Sequence, residues 1–284
     1  MANNPLKQYF RQPTVYVKLP SKGHWYTDHS VTFNTECEVA IYPLSALDDI
    51  LLNTPDAMLN GQALEKVVKN CVPEIQNIKK LLLPDLEAIF VGIKAATSNG
   101  TAEYSKECPN CKFENTYDIN CQSLLGQTKF IDQTDCVLNF NNELEVHIKP
   151  YDFQMRQLFI RKEFDEEKLL RTIDESNKDL DELNKARILG ESVDRLSSMT
   201  FEMVASSIEK IVLLKEGTEV TNREHINEWL ISVSKSQADT VIENVNKLNA
   251  SGIPKEIPVT CSNCQTQWND SISFDPSSFF GKRS

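Results

Sequence analysis

The sequence predicts an α+β protein: an N-terminal body of strands and helices, a split four-cysteine, zinc-ribbon-like module, and a mostly helical central insertion between the module's two halves. Three observations predict it. Apolar residues alternate near the start (Val15, Val17, Leu19, then Val39 and Ile41). Residues 152–250 contain no proline and only Gly190 and Gly217. A Cys-x-Asn-Cys stretch stands on each side of that helical region. The expected layout is residues 1–150 as an α+β body with the first knuckle, 151–252 as a helical module, and 253–284 as a C-terminal segment carrying the second knuckle and docking back on the body.

Each element has a local reason. In TVYVKLP the period of two marks a strand, ECEVAIYP repeats it, and SKGHWYTDHS between them reads as a turn. Pro43 ends the second strand, and Ser45 with Asp48 has capping-box spacing for a short helix through Leu51 and Leu52. From Asp56 to Cys71 the residues Leu59, Ala63, Leu64, Val67, Val68 and Cys71 line one helical face, and Pro73 marks its stop. Pro84 and Asp85 open a third helix that runs through Ile93 and ends before Gly100. β structure then returns: strand, cysteine turn and strand over 103–119, and a hairpin around Asn141-Asn142 followed by Leu144, Val146 and Ile148.

At least three helices are expected beyond residue 152. The first carries a seam of Leu169, Ile173, Leu180 and Leu183 among dense charge. The second runs from about Thr200 with Phe201, Val204, Ile208, Ile211 and Val212 on one side. Thr221 and Glu224 make a capping box for the third, which continues through Val241, Val245 and Leu248 to Gly252 and Pro254. The charged helix with a narrow apolar seam can pack within the chain or on a partner.

The chain has 284 residues, 40% hydrophobic and 25% charged, the composition of a folded globular protein large enough to bury a core without disulfides. No apolar run reaches signal-peptide or membrane-span length, so a cytosolic, membrane-free protein is expected. In that compartment eight cysteines are ligands or small core residues, and Cys37, Cys71, Cys121 and Cys136, lacking partners at ligand spacing, are assigned to the core. A net charge of −11 works against broad nucleic-acid binding; Lys282-Arg283 is the one obvious basic pair.

The remaining cysteines carry the chemistry. ECPNCKFENTYDI and EIPVTCSNCQTQWNDSISF share the order strand, Cys-x-Asn-Cys, polar turn, strand. A Cys-x-x-Cys turn aims two thiolates at one point, and two such turns complete the tetrahedral shell of structural zinc. Cys108, Cys111, Cys261 and Cys264 are therefore expected to share one structural Zn2+ per chain. A thioredoxin-like pair is the competing reading, but it requires a strand-to-helix junction. The four histidines, His24, His29, His147 and His225, lie in no catalytic pattern, and no phosphate-cradling glycine loop is present. No enzyme is expected.

Several stretches in order resemble the T-even-type bacteriophage baseplate hub and tail-assembly proteins: LPSKGHWY (19–26), PLSALDDILL (43–52), NGQALEKVVKNCVPEI (60–75), LLLPDLEAIFVGIKAATSNG (81–100), the CPNC turn and CSNCQTQWNDSISFDPSSFFG (261–281). Lys112 and Gln265 stand where a glycine often follows the second knuckle cysteine. The resemblance implies a noncatalytic component or assembly factor of a contractile-tail baseplate hub. It would be located in the host cytoplasm during assembly and in the virion tail baseplate if retained. The implied partners are other hub or tail proteins, with no membrane and no small-molecule substrate, and nucleic acid disfavoured. Phe279-Phe280 are candidate partner-binding residues, or else fold back on Trp268 and the zinc module. The alternative function is a zinc-ribbon nucleic-acid-binding protein.

Overall fold

The computed structural model describes residues 4–54, 61–97, 100–175, 182–274 and 279, without the side chains of 172–175, 182, 183, 185 and 186. Both helices and strands are present, the α+β mix expected. Two compact units divide the chain: residues 1–131 with 250–284, and residues 132–249. The strand pair of residues 137–148, grouped with the N-terminal body on sequence, falls in the second unit.

The first unit is organised around one helix. Strands β1 (Val15–Lys18) and β2 (Glu38–Ile41) pair antiparallel with Val17 opposite Val39. Three helices follow: α1 (Ala46–Leu52), α2 (Gln62–Cys71) and α3 (Leu83–Thr97). Ser45 closes the expected capping box with Asp48, and α2 buries Ala63, Leu64, Val67, Val68 and Cys71. Leu59, assigned to that face, lies outside the described residues. Helix α3 is apolar around most of its circumference, so it can only be stable as the buried centre of its unit. Gly92 is what lets the β1–β2 pair lie directly on it: an added Cβ would stand 2.8 Å from Val17 Cγ2 and 3.2 Å from Ile41 Cγ1.

Two buried carboxylates tie loops to this core. Asp85, in the first turn of α3, accepts hydrogen bonds from the Ser21 N–H (2.8 Å) and the Tyr26 hydroxyl, and that hydroxyl in turn accepts from the Leu82 N–H (3.0 Å). The turn LPSKGHWY is thus anchored by its serine and tyrosine. Burial pushes the Asp85 carboxyl up to about 6. Asp48 is equally buried but surrounded by donors: Asn70 Nδ2 (2.8 Å), the Ser45 N–H (2.8 Å) and Arg11 (2.9 Å). Burial opposes its charge, and these hydrogen bonds outweigh it, leaving the carboxyl below its ordinary value.

From α3 the chain passes through Gly100 (φ 84°) into the hairpin β3 (Thr101–Glu107) and β4 (Glu114–Asn120), then the short helix α4 (Cys121–Gly126). The C-terminal part of this unit adds a second hairpin, β9 (Glu256–Thr260) and β10 (Gln267–Ser271). Its approach is fixed by two backbone hydrogen bonds between Gly252 and Lys129 (2.9 Å each) and by an ion pair between Lys255 and Glu87 of α3 (2.9 Å).

In the second unit β5 (Val137–Phe140) and β6 (Leu144–Ile148) form the expected hairpin, with Asn141 and Asn142 both left-handed (φ 53° and 54°). Two long helices follow, α5 (Phe153–Glu175) and α6 (Glu182–Ser206), joined at one level by Glu166, which accepts from Ser192 (2.7 Å) and Arg195 (2.6 Å). Of the predicted seam only the Leu169 side chain is described within this pair, and it is exposed; Leu180 lies outside the described residues.

The expected second helix is corrected here. The helix ends at Ser206, and Ile208, Ile211 and Val212 belong to strand β7 (Ile208–Leu213), which pairs with β6 and with β8 (Thr218–Val220) in the order β5-β6-β7-β8. The spacing 204, 208, 211 suits a helix, but a β-branched run opposite Val146 gains a sheet partner, and that pairing overrides the local pattern. The cap of the next helix moves by one residue. Asn222, not Thr221, accepts from the Glu224 and His225 N–H groups and starts α7 (Arg223–Ser232), which α8 (Lys235–Asn249) follows as a separate helix. Val241, Val245 and Leu248 of α8 are buried as expected.

Candidate metal centre

Each knuckle is the tip of an antiparallel hairpin, and the two tips have the same construction. Strand pairing closes at Glu107 opposite Glu114 in one and at Thr260 opposite Gln267 in the other. The first cysteine donates its N–H to the carbonyl five residues on, Cys108 to Phe113 and Cys261 to Thr266, both at 2.9 Å. The residue after the second cysteine donates back to the first cysteine's carbonyl, Lys112 to Cys108 and Gln265 to Cys261, both at 3.0 Å. That closure requires a left-handed residue, and Lys112 and Gln265 adopt φ of 61° and 59°. Glycine is common there because it takes this conformation without a Cβ penalty; these two side chains sustain it at a cost of about 1 kcal/mol each.

The two tips meet. Cys108, Cys111, Cys261 and Cys264 bring their sulfurs within 4.8 Å of one another, with Cys108 and Cys261 buried and the other two partly so. Cys108 Sγ lies 3.6 Å from Cys264 Sγ, and Cys111 Sγ lies 3.6 Å from Cys261 Sγ. A disulfide would need about 2.05 Å, and all four are free thiols. A tetrahedral ion bound through metal–sulfur bonds of about 2.3 Å spaces its sulfurs about 3.8 Å apart. The four cysteines therefore fit a metal ion, and the donor set is one that soft or borderline ions prefer.

The shared asparagine in Cys-x-Asn-Cys, not singled out on sequence, has a reciprocal role. Asn110 Nδ2 of the first knuckle approaches Cys264 Sγ at 3.7 Å, and Asn263 Nδ2 of the second approaches Cys111 Sγ at 3.6 Å. Each asparagine thus serves the second cysteine of the opposite knuckle. Its recurrence at the same place in both stretches was the available signal. Asn115 adds a third cross-link: its Nδ2 faces Cys261 Sγ (3.6 Å), and its Oδ1 accepts from the Ser262 N–H (2.9 Å) and hydroxyl (3.0 Å). Below the tips, the Tyr104 hydroxyl bonds Asp270 (2.7 Å), Lys106 pairs with Asp270 (3.6 Å), and the Tyr117 hydroxyl donates to the Thr260 carbonyl (3.1 Å).

These donors prepare the second knuckle for ionisation. The hydroxyl and backbone N–H of Thr266 draw the Cys264 thiol down to about 6. Burial opposes ionisation of Cys261, but the N–H groups of Cys264 and Asn263 and the Asn115 amide overcome it and lower that thiol too. Cys108 goes the other way: burial pushes it up to about 11. A metal ion would remove protons from the whole set.

The other cysteines divide. Cys71, Cys121 and Cys136 are buried, as expected, with burial pushing their thiols up to about 12, 11 and 11. Cys37 corrects the expectation: it is exposed, at a left-handed turn position (φ 60°) rather than in the core. At the C-terminal end, the Phe279 ring meets Phe274 edge-on at 5.4 Å and takes Lys94 Nζ at 5.9 Å. Phe280, Lys282 and Arg283 lie outside the described residues. Among the described residues no helix is long and apolar enough to cross a membrane.

Fold and site together define a split-knuckle four-cysteine protein, in which hairpins from distant parts of the chain bring four sulfurs into one cluster. The family described as T4 bacteriophage base plate protein matches residues 14–281, and the chain belongs to it. The match spans both knuckles and the helical stretch between them. No curated protein and no solved structure matches the chain. It is accordingly a bacteriophage baseplate protein, one that works against other tail or baseplate proteins.

Proposed function

We propose that this chain is a noncatalytic structural or assembly protein of the baseplate hub, and that one structural Zn2+ held by Cys108, Cys111, Cys261 and Cys264 fastens its C-terminal segment to its N-terminal body. The observation that carries the metal assignment is the convergence of four sulfurs from two hairpins whose cysteines are 150 residues apart. Four protein ligands fill a tetrahedron and leave no open position for water, so such an ion stabilises rather than catalyses. Cys108, Cys111, Cys261 and Cys264 hold the ion; Asn110, Asn263 and Asn115 orient the sulfurs and spread their negative charge. Zinc is favoured over iron because no cluster-binding cysteine run is present.

In the same proposal Phe279 and Phe280 contact a neighbouring subunit. Phe279 is half-buried on Phe274, so that contact would use its outer face. The protein acts in the host cytoplasm during assembly and in the tail baseplate if retained. Elemental analysis of the purified native chain tests the metal: one zinc per chain is expected, and metal-free native material overturns it. Silencing the gene tests the role, since normal tails formed without the protein would end the hub assignment. Salt-dependent binding of the purified chain to DNA or RNA would replace it with the nucleic-acid reading.

A further inference from the structure

The negative charge of this protein is not evenly spread. Residues 1–27 carry Lys7, Arg11, Lys18 and Lys22 and no acidic side chain, the first being Asp28, so the rest of the chain carries the entire acidic excess. Arg11 is committed to Asp48. Among the described residues Lys7, Lys18 and Lys22 are in no ion pair.

Two of these lysines converge on one exposed ring. Lys18 Nζ and Lys22 Nζ stand 5.9 and 5.8 Å from the centre of Phe130, which is 42% exposed. Tyr16, two residues before Lys18 and therefore on the same face of β1, is 57% exposed. Two ammonium groups beside one ring repel each other, and a carboxylate placed between them relieves that repulsion while keeping both cation–π contacts.

We propose that this face, built from Tyr16, Lys18, Lys22 and Phe130, docks an acidic, apolar-bearing segment of a neighbouring baseplate subunit. Aromatic side chains supply the contact area in such an interface and the lysines select an acidic partner. A protein partner fits better than nucleic acid: two available lysines neutralise few phosphates, and the remaining acidic surface repels a polyanion. The proposal rests on membership of the baseplate family and not on the metal, so its failure would leave the zinc assignment standing.

Carbodiimide treatment of baseplates and assembly intermediates containing the full chain tests it. The reagent joins a lysine amine to a touching carboxylate as an amide, and itself takes up the water as a urea. Peptide mass spectrometry should find Lys18 or Lys22 joined to an Asp or Glu of a different polypeptide. The double variant Lys18→Gln, Lys22→Gln should retain its metal content and lower incorporation into baseplates at least tenfold, whereas Lys235→Gln changes nothing. Links from Lys18 and Lys22 only to this chain's own sequence, or no links while other lysines react with partners, would overturn it. Tight binding of a thymidine 30-mer that the double variant abolishes would overturn it in favour of nucleic acid.

Discussion

Substituting Cys261 by serine removes one buried sulfur from the four-cysteine cluster and separates the contributions of the proposed metal and of the protein to holding β9–β10. Joining two tips 150 residues apart costs about 4 kcal/mol of closure entropy. The hydrogen bonds and ion pair that link the hairpins without metal involve Tyr104, Lys106, Asn115 and Tyr117. At about 1 kcal/mol each they roughly cancel that cost. A structural zinc of the proposed kind would contribute on the order of 10 kcal/mol, so a bound ion would decide whether the hairpin stays. In Cys261→Ser, amide hydrogen exchange over 256–271 should accelerate about a thousandfold, equivalent to about 4 kcal/mol. Protection in 132–249 should be unchanged, since that unit has its own core. Exchange within tenfold of the unsubstituted protein, measured in a variant shown to be metal-free, would refute the metal's role as fastener.

Asn110→Ala and Asn263→Ala should each weaken metal binding about 10- to 100-fold in competition with a chromophoric chelator, and by similar factors because their contacts are reciprocal. Lys112→Gly and Gln265→Gly remove the left-handed penalty and should each raise stability by about 0.5–1 kcal/mol in a denaturant titration. Asp85 titrates near 6 when folded against about 3.9 unfolded. Its contribution is complete below pH 4 and is lost as pH rises through 6, up to about 3 kcal/mol, and Asp85→Asn should flatten that decline in a pH series of melting curves. Gly92→Ala forces β1–β2 off α3 and should cost about 1–3 kcal/mol in thermal or chemical unfolding.

Several structural choices that depended on residues three or four apart were legible in the sequence, although the cap at Thr221 was displaced to Asn222. Ser45 caps α1 because Asp48 is within reach of its backbone, and the buried stripe of α2 follows from helical spacing alone. Both hairpin tips were legible for the same reason, since a Cys-x-x-Cys turn is a local object. Residues 208–213 were not, because their apolar pattern satisfies a helix as well as a strand, and only the pairing of Ile211 with Val146 settles it. Nor was the exposure of Cys37, which a turn between two strands imposes.

By itself, then, the sequence determined the identity of the four sulfurs, the repeated knuckle around them and the character of most helices, since each is written in contiguous residues. Tertiary structure alone decided how the knuckles, expected on sequence to meet, are linked, with each asparagine serving the other knuckle's cysteine, and that Asp85 receives Ser21 and Tyr26. Those contacts join residues far apart in the chain, and their distances are set by packing around α3 rather than by any local preference.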